Sequence, residues 1–206
     1  GALDPAKRRL KARETLEIYA PIASRLGINA MREELEDLGF RHLSPRRHAV
    51  IARHLEQRTG ARRQLLRRVA GELKKALREH GIEAQVQWHV RSPWRVYRMM
   101  QERQRSLRDI ADVLGFHLIV QSVDDCYRAL GIVHQAYKPV PGHFKDYIAI
   151  PKENGYRSLH TMLFGPRSEA LDVQIRTAEM DRVAESGVTS HWLYDSGEPR
   201  GLARES

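Results

Sequence analysis

One cysteine in 206 residues, Cys126, leaves no partner for an internal disulfide and fits a reducing cytoplasm. Long apolar runs are missing too. No stretch approaches the roughly 20 residues of a membrane-spanning helix, and no basic-then-apolar segment marks a secretory leader. Internal repeats and low-complexity tracts are absent. Zinc-like spacing is absent as well: His89, His117, His134 and His143 are scattered, and the lone cysteine adds no ligand. Acidic residues are outnumbered 26 to 35 by Lys and Arg, giving a net charge of +9. That excess favours polyanionic partners, either nucleotide phosphates or nucleic acid, with a merely soluble basic surface as the plain alternative. Much of it lies between Arg46 and Arg78.

What is present supports one domain with a helical attachment. The chain opens on Gly1 rather than Met and reads as a piece of a longer protein. Leu16, Tyr19, Ala20 and Ala23 recur at helical spacing over 7–25, with a break or kink predicted at Pro21. A second amphipathic helix covers 29–40. Ser44-Pro45 is a strong helix start. From there Ile51, Leu55, Leu65, Leu66, Val69, Leu73 and Leu77 mark one face, with a break predicted around Thr59-Gly60 and an end at His80-Gly81. These elements read as a helical layer without a chemical site. Residues 82–90 alternate apolar and polar as a half-buried strand does, and 93–105 return to helix. The apolar run 112–121 predicts a central strand. A helix over 124–137, a polar loop over 138–157, strands at 158–165 and 169–176, and a helix over 178–194 follow. The reading is an α+β fold, a mixed sheet flanked by helices, divided into N-terminal helices (1–80), a core (81–195) and a loose tail (196–206).

Chemistry-bearing residues concentrate late in the chain. Asp112 and Asp172 sit in or beside predicted strands, where a carboxylate needs a cation or donors. Two such acids on adjacent strands can hold Mg²⁺; each also reads as an acid at a strand end facing solvent. Lys145, Lys152 and Arg176 suit phosphates, or a solvated loop face. In Lys152-Glu153-Asn154-Gly155-Tyr156, Gly155 permits a tight turn, Asn154 offers amide hydrogen bonds and Tyr156 offers a ring for a base, or packs beneath its own loop. His160 suits a sugar hydroxyl or phosphate, or is a satisfied sheet histidine. His191-Trp192 reads as structural.

The segments Glu14-Thr-Leu-Glu-Ile-Tyr-Ala-Pro-Ile-Ala-Ser-Arg-Leu-Gly, Cys126-Tyr-Arg-Ala-Leu-Gly, Pro141-Gly-His-Phe-Lys-Asp-Tyr-Ile-Ala, Pro151-Lys-Glu-Asn-Gly-Tyr and Val173-Gln-Ile-Arg-Thr stand out as motifs. Together they resemble the synthetase domain of long RelA/SpoT proteins. The resemblance implies a nucleotidyltransferase-like five-stranded mixed sheet. It implies transfer of the β,γ-pyrophosphate of ATP to the 3′-hydroxyl of GTP or GDP, giving (p)ppGpp and AMP, with Mg²⁺ or alternatively Mn²⁺ as cofactor. By the same resemblance Asp112 and Asp172 are the catalytic, metal-binding acids, and Tyr156 stacks on guanine. Lys145, Lys152, Asn154, His160, Gln174 and Arg176 line the guanosine nucleotide and phosphates. The implied partners are the hydrolase and regulatory domains of a parent chain, with ribosome contact only through regions outside this sequence and no membrane.

The family's ATP-side motif runs Arg-x-Lys, Tyr-Ser-Ile-Tyr, Lys-Met. Aligned on Tyr97-Arg98-Met99-Met100, it places His89 at the Arg and Arg91 at the Lys. Trp94 then replaces the first Tyr, Arg95 the Ser and Met99 the second Lys. His117 and His143 stand where the family carries Arg, and Asp172 is one methylene shorter than its Glu. The guanosine side is intact and the ATP side is altered, so His89, Arg91 and Arg95 form an altered ATP subsite. Two readings follow: a synthetase domain of weak or lost activity, or a degenerate guanosine-nucleotide-binding, regulatory domain of a mainly hydrolytic protein. A basic RNA-binding module acting through the 46–78 helix is a third.

Overall fold

A computed structural model of the chain describes residues 4–104, 106–111, 114–166 and 169–186. Helix α1 spans Pro5–Glu14 and α2 spans Ala20–Arg25, and between them Thr15–Tyr19 form a π-helical turn. The backbone does not break at Pro21. Proline has no N–H to return to the preceding turn, and the helix widens ahead of it instead, with the Ala20 N–H reaching back to the Thr15 carbonyl. Helix α3 (Asn29–Leu43) lies so close to this layer that a Cβ on Gly39 would stand 2.7 Å from Leu16.

Helix α4 runs unbroken from Pro45 to Glu79, through Gly60. The pause in its apolar pattern is therefore not a helix end. Leu55 and Leu66 are eleven residues apart, close to three whole turns, so the face stays in register. The pause divides two cores. Upstream, Ile51 and Leu55 join Phe40, Val96 and Ile110, with Trp94 and Tyr97 packed against them. Downstream, Leu66, Val69, Leu73 and Leu77 pack on the sheet. The helix closes in a Schellman arrangement: Gly81, at φ +75°, donates to Arg78, and Ile82 donates to Leu77.

The sheet contains β1 (Gln85–His89), β2 (Leu114–Val120), β3 (Lys145–Asp146), β4 (Leu159–Phe164) and β5 (Ala170–Thr177), in the order β1-β2-β5-β4-β3. Only the β2–β5 pair is parallel. The remaining helices are α5 (Pro93–Arg103), α6 (Leu107–Ala111), α7 (Val123–Ala136) and α8 (Ala178–Ser186). Within the 138–157 loop the structure thus adds the short strand β3. The predicted helix beyond 186, including His191-Trp192, lies outside the described residues.

Strand periodicity sorts the side chains into two faces. Phe116, Leu118, Leu159, Leu163, Leu171, Val173 and Ile175 are fully buried on one face, against α4 and α7. The other face is polar. Register places His117 opposite Gln174, Gln174 opposite His160, and His160 opposite Lys145; Asp172 lies beside Gly115 and Arg176 beside Ile119. Helix α8 packs over part of this face, and α3 packs against α8, with α5 alongside α3. A cleft walled by polar strands and helix sides results.

Candidate functional site

The loop between α7 and β4 is shaped by its own side chains. The Asp146 carboxylate accepts hydrogen bonds from the Ile148 and Ala149 N–H groups, both at 2.9 Å, and from the Tyr127 hydroxyl at 3.0 Å. Gly155 takes φ +75°, the left-handed conformation that favours glycine. Its N–H donates to the Lys152 carbonyl, while the Lys152 N–H donates to Tyr156. Asn154 acts in both directions: Oδ1 accepts from the Tyr156 N–H at 3.2 Å, and Nδ2 donates to the Ser24 carbonyl at 3.1 Å. The turn is thereby anchored to the end of α2.

Tyr156 leaves this turn with its hydroxyl fixed. It donates to Gln174 Oε1 at 3.1 Å and lies 2.7 Å from His160 Nε2. With the single phenolic proton committed to Gln174, a neutral His160 with Nε2–H supplies the second bond. Burial pushes His160 down to about 4, with Lys152, Arg176 and Arg95 adding to the shift and Asp172 opposing it. Burial also raises the Tyr156 hydroxyl. Lys152 Nζ lies 4.7 Å from the Tyr147 ring centroid and 4.9 Å from that of Tyr156, a cation held between two aromatic faces.

A second group forms across β1, β2 and β5. Arg176, 2% exposed, donates from Nη2 to His117 Nδ1 at 2.8 Å, and its Nε lies 3.0 Å from the Asp181 carboxylate. His117 must be neutral to accept. Burial and the neighbouring Arg176 push it down to about 3. The His89 ring lies 4.2 Å from that of His117, and burial pushes His89 down to about 4. Gly115 makes room, since a Cβ there would stand 2.5 Å from the His89 ring. Beside them Arg91 Nη2 donates to Asp172 Oδ2 at 3.0 Å.

These groups line two adjoining cavities of about 460 and 410 Å³. Arg32, Arg91, Arg95, Lys152 and His160 border both. The larger adds Trp94, Met99, His143, Lys145 and Asp172. The smaller adds His89, His117, Asn154, Tyr156, Gln174 and Arg176. Every candidate residue within the described range therefore meets in one cleft. Lys145 opens on the lobe of Asp172, away from Tyr156. Asp112 lies outside the described residues. Among the described residues no group of three His, Cys, Asp or Glu side chains is arranged to hold a metal, and Asp172 shares the wall of the larger cavity with the carboxylates of Glu36 and Glu102.

Sequence reasoning missed the contribution of the helical layer. Arg32 and Glu36 of α3 reach the larger cavity, and Ser24, Asn29 and Arg32 reach the smaller. Asn29 Nδ2 donates to the Ala184 carbonyl, tying α3 to α8. Burial raises the Glu36 carboxyl, against the pull of Arg32. Trp94 also serves the upstream core, its ring 5.3 Å from Phe40. No helix among the described residues is long and apolar enough to cross a membrane.

Among solved structures, the chain is similar to small alarmone synthetase 1 from Bacillus subtilis bound to its product pppGpp. The TM-score is 0.52 at 23% identity, covering 71% of this chain and 84% of that one, a likeness of fold. Among curated proteins it is 46% identical over 94% of its length to the bifunctional (p)ppGpp synthase/hydrolase SpoT of Escherichia coli strain K12. It is 44% identical over 98% of its length to the guanosine-3′,5′-bis(diphosphate) 3′-pyrophosphohydrolase of Vibrio cholerae serotype O1. In both cases it spans 28% of the relative's length. The family described as the region found in RelA / SpoT proteins matches residues 88–199, more than half of the chain. On that match, and on the motifs that line the cleft, the chain belongs to the RelA/SpoT family.

Proposed function

We propose that this chain is the synthetase-type domain of a longer (p)ppGpp-metabolising protein, that it binds a guanosine nucleotide at the Tyr156 lobe, and that its pyrophosphate transfer is weak. The observation that carries the reading is the uneven state of the cleft. On the Tyr156 side, the ring, Gln174, His160 and Lys152 form a connected and satisfied network. Toward the other lobe, Arg91 is bound to Asp172, and beside Tyr156, in its own lobe, positions 89 and 117, where the proposed alignment puts the family's arginines, hold two neutral histidines with their rings 4.2 Å apart.

In the family's reaction the 3′-hydroxyl oxygen of GTP or GDP attacks the β-phosphorus of ATP. The new O–P bond forms as the bond from the β-phosphorus to the α,β-bridging oxygen breaks; AMP leaves and the hydroxyl proton passes to a carboxylate. Tyr156 would hold the guanine by stacking, worth roughly 1–3 kcal/mol. Lys152, Arg95 and Lys145 would meet the phosphates, and among the described residues none of these three is in an ion pair. Asp172 would accept the proton or, with Asp112, hold a divalent ion that neutralises phosphate charge. Arg91 engages Oδ2 of this carboxylate, which leaves only Oδ1 for either role. Uncharged His89, His117 and Met99 offer no field at a transition state that gains negative charge on phosphate oxygens, where each preorganised donor counts heavily.

Product analysis tests the reading. The chain is incubated with ATP, GTP or GDP, and Mg²⁺ or Mn²⁺, and assayed for ppGpp, pppGpp and AMP alongside calorimetric GDP binding. Slow product with clear GDP binding is expected. Binding without product would leave a regulatory nucleotide-binding domain. Fast synthesis would show that Arg91 and Arg95 form a working rewired site, and absence of GDP binding would overturn the proposal.

A further inference from the structure

We propose that Arg32, on α3, is a further positioning residue for the nucleotide phosphates, so that the helical layer ahead of the sheet supplies part of the binding site. This inference rests on the reading of the cleft as a nucleotide site. Its first support is place. Arg32 borders both cavities, at the seam where a polyphosphate held from the Tyr156 lobe must pass toward Asp172.

The second support is how poorly Arg32 is used within the chain. Its guanidinium lies 3.3 Å from Glu33 and 4.0 Å from Glu36, against about 2.7–2.9 Å for a good charge-assisted bond. Its side chain is only 21% exposed, and its Nε is buried with no hydrogen-bond acceptor among the described residues. A buried donor without a partner is costly, so the guanidinium is not fully satisfied where it stands and gains by swinging toward a phosphate in the cleft. The planar fork of a guanidinium also fits phosphate oxygens two at a time. Of the other two guanidinium groups that border both cavities, half-buried Arg91 is already held by Asp172, and Arg95 is exposed.

The third support is rigidity. Helix α3 is pinned at its start by Asn29 to Ala184 and near its end by Phe40, whose ring is stacked on Tyr97 at 4.9 Å. Arg32 projects from between two fixed points, as a preorganised phosphate ligand requires. Glu36 restrains it only at 4.0 Å, so the ion pair offers little competition to a phosphate.

The test uses Arg32→Met, which keeps the apolar stem, and Arg32→Lys, which keeps the charge without the fork. Calorimetry measures GTP and α,β-methylene-ATP binding to the folded 206-residue chain, ligand-observed NMR measures guanosine, and thermal unfolding is recorded for each variant. Arg32→Met is expected to weaken triphosphate binding by about ten-fold or more, to leave guanosine binding and the melting temperature unchanged, and to be partly rescued in Arg32→Lys. Triphosphate binding equal to that of the parent would overturn the assignment while leaving the cleft's function standing. Equal losses of guanosine and triphosphate, with a lower melting temperature, would reduce Arg32 to a structural role. A parent chain that binds no nucleotide would bring down the cleft reading and Arg32 with it, and the variants would then not differ.

Discussion

Tyr156 combines two roles that substitution can separate. Its hydroxyl closes the network with Gln174 and His160, and its ring is the surface offered to a base. Tyr156→Phe is expected to cost about 1–2 kcal/mol of stability, because Gln174 loses a donor in a half-buried place, while GDP affinity is nearly kept. Tyr156→Ala is expected to lose a further 1–3 kcal/mol of GDP binding, roughly the worth of one base stack. Chemical denaturation and GDP titration of the two variants check this; equal GDP affinity in both would remove the ring from the site. The histidines give a pH signature. His89 and His160 lie at about 4 and His117 at about 3, all below the ordinary 6.5. As pH falls the unfolded chain takes up these protons first, so stability is full above 6.5 and is lost progressively down to about 4 for His89 and His160 and about 3 for His117. Glu36 works in the opposite sense, since its raised folded value favours the protonated folded form. A urea midpoint that slides downward through this window is expected, with a shallower slope in His117→Gln, whose amide oxygen can still accept from Arg176. A constant midpoint would show that the rings charge freely in the folded chain.

At the scale of elements, apolar periodicity carried most of the fold. Apart from the short α6 at Leu107–Ala111, which the spacing does not show, the helices, the central strand and the final strand pair follow from spacing alone, because each buries one stripe or one face. Glycine was the weak point. Gly60 reads as a breaker beside a gap in the apolar pattern, yet α4 continues because the leucines on either side stay in phase and pack on separate cores. A Cβ at Gly60 meets nothing within 4 Å, so Gly60→Ala is expected to stabilise the chain by about 0.5–1 kcal/mol. Destabilisation in urea unfolding would mean that the helix is interrupted there after all. Gly115 is the converse, a glycine inside a strand pattern that marks a close approach. Gly115→Ala should cost about 1–3 kcal/mol through displacement of the His89 ring, and most of that cost should vanish in a His89→Ala background. Additive effects in that double-mutant cycle would show that the two positions do not touch. The site was legible where it lay in short polar motifs, as at Lys152–Tyr156. It was illegible on α3, where Arg32 and Glu36 occupy the polar stripe of an amphipathic helix. From sequence such a stripe cannot be told from a solvated face, and only the packing of α3 against α5 and α8 turns it inward.

For the whole molecule, charge placement frames the question of activity. Arg46, Arg53, Arg63, Arg67, Lys74 and Arg78 of α4 are exposed, and none of them lines the cleft cavities, so much of the excess charge does not assist phosphate chemistry. Inside the cleft, the residues around His117 support one another. His117 accepts from Arg176, the His89 ring lies tilted against that of His117, and Gly115 admits His89. Changing His117→Arg alone would set a second buried cation against Arg176 and leave a guanidinium without its acceptor, so it is expected to destabilise by about 3 kcal/mol or more. Changing five positions together, His89→Arg, Arg95→Ser, Met99→Lys, His117→Arg and Asp172→Glu, builds the motif that the proposed alignment assigns, but adds cations to a cleft that is already rich in them. This variant is expected to melt below the parent when free. It should recover more stability than the parent does when α,β-methylene-ATP and GDP are added, each bound ligand contributing about 2.7 kcal/mol where its concentration is a hundred-fold above its Kd. Synthesis should rise by about 10²-fold, the scale of one preorganised donor at a transition state. Melting curves with and without nucleotide establish first that the variant folds and binds. If it does both and still makes no more (p)ppGpp than the parent, then weak transfer does not arise from the ATP-side residues, and the alignment that assigns them is wrong.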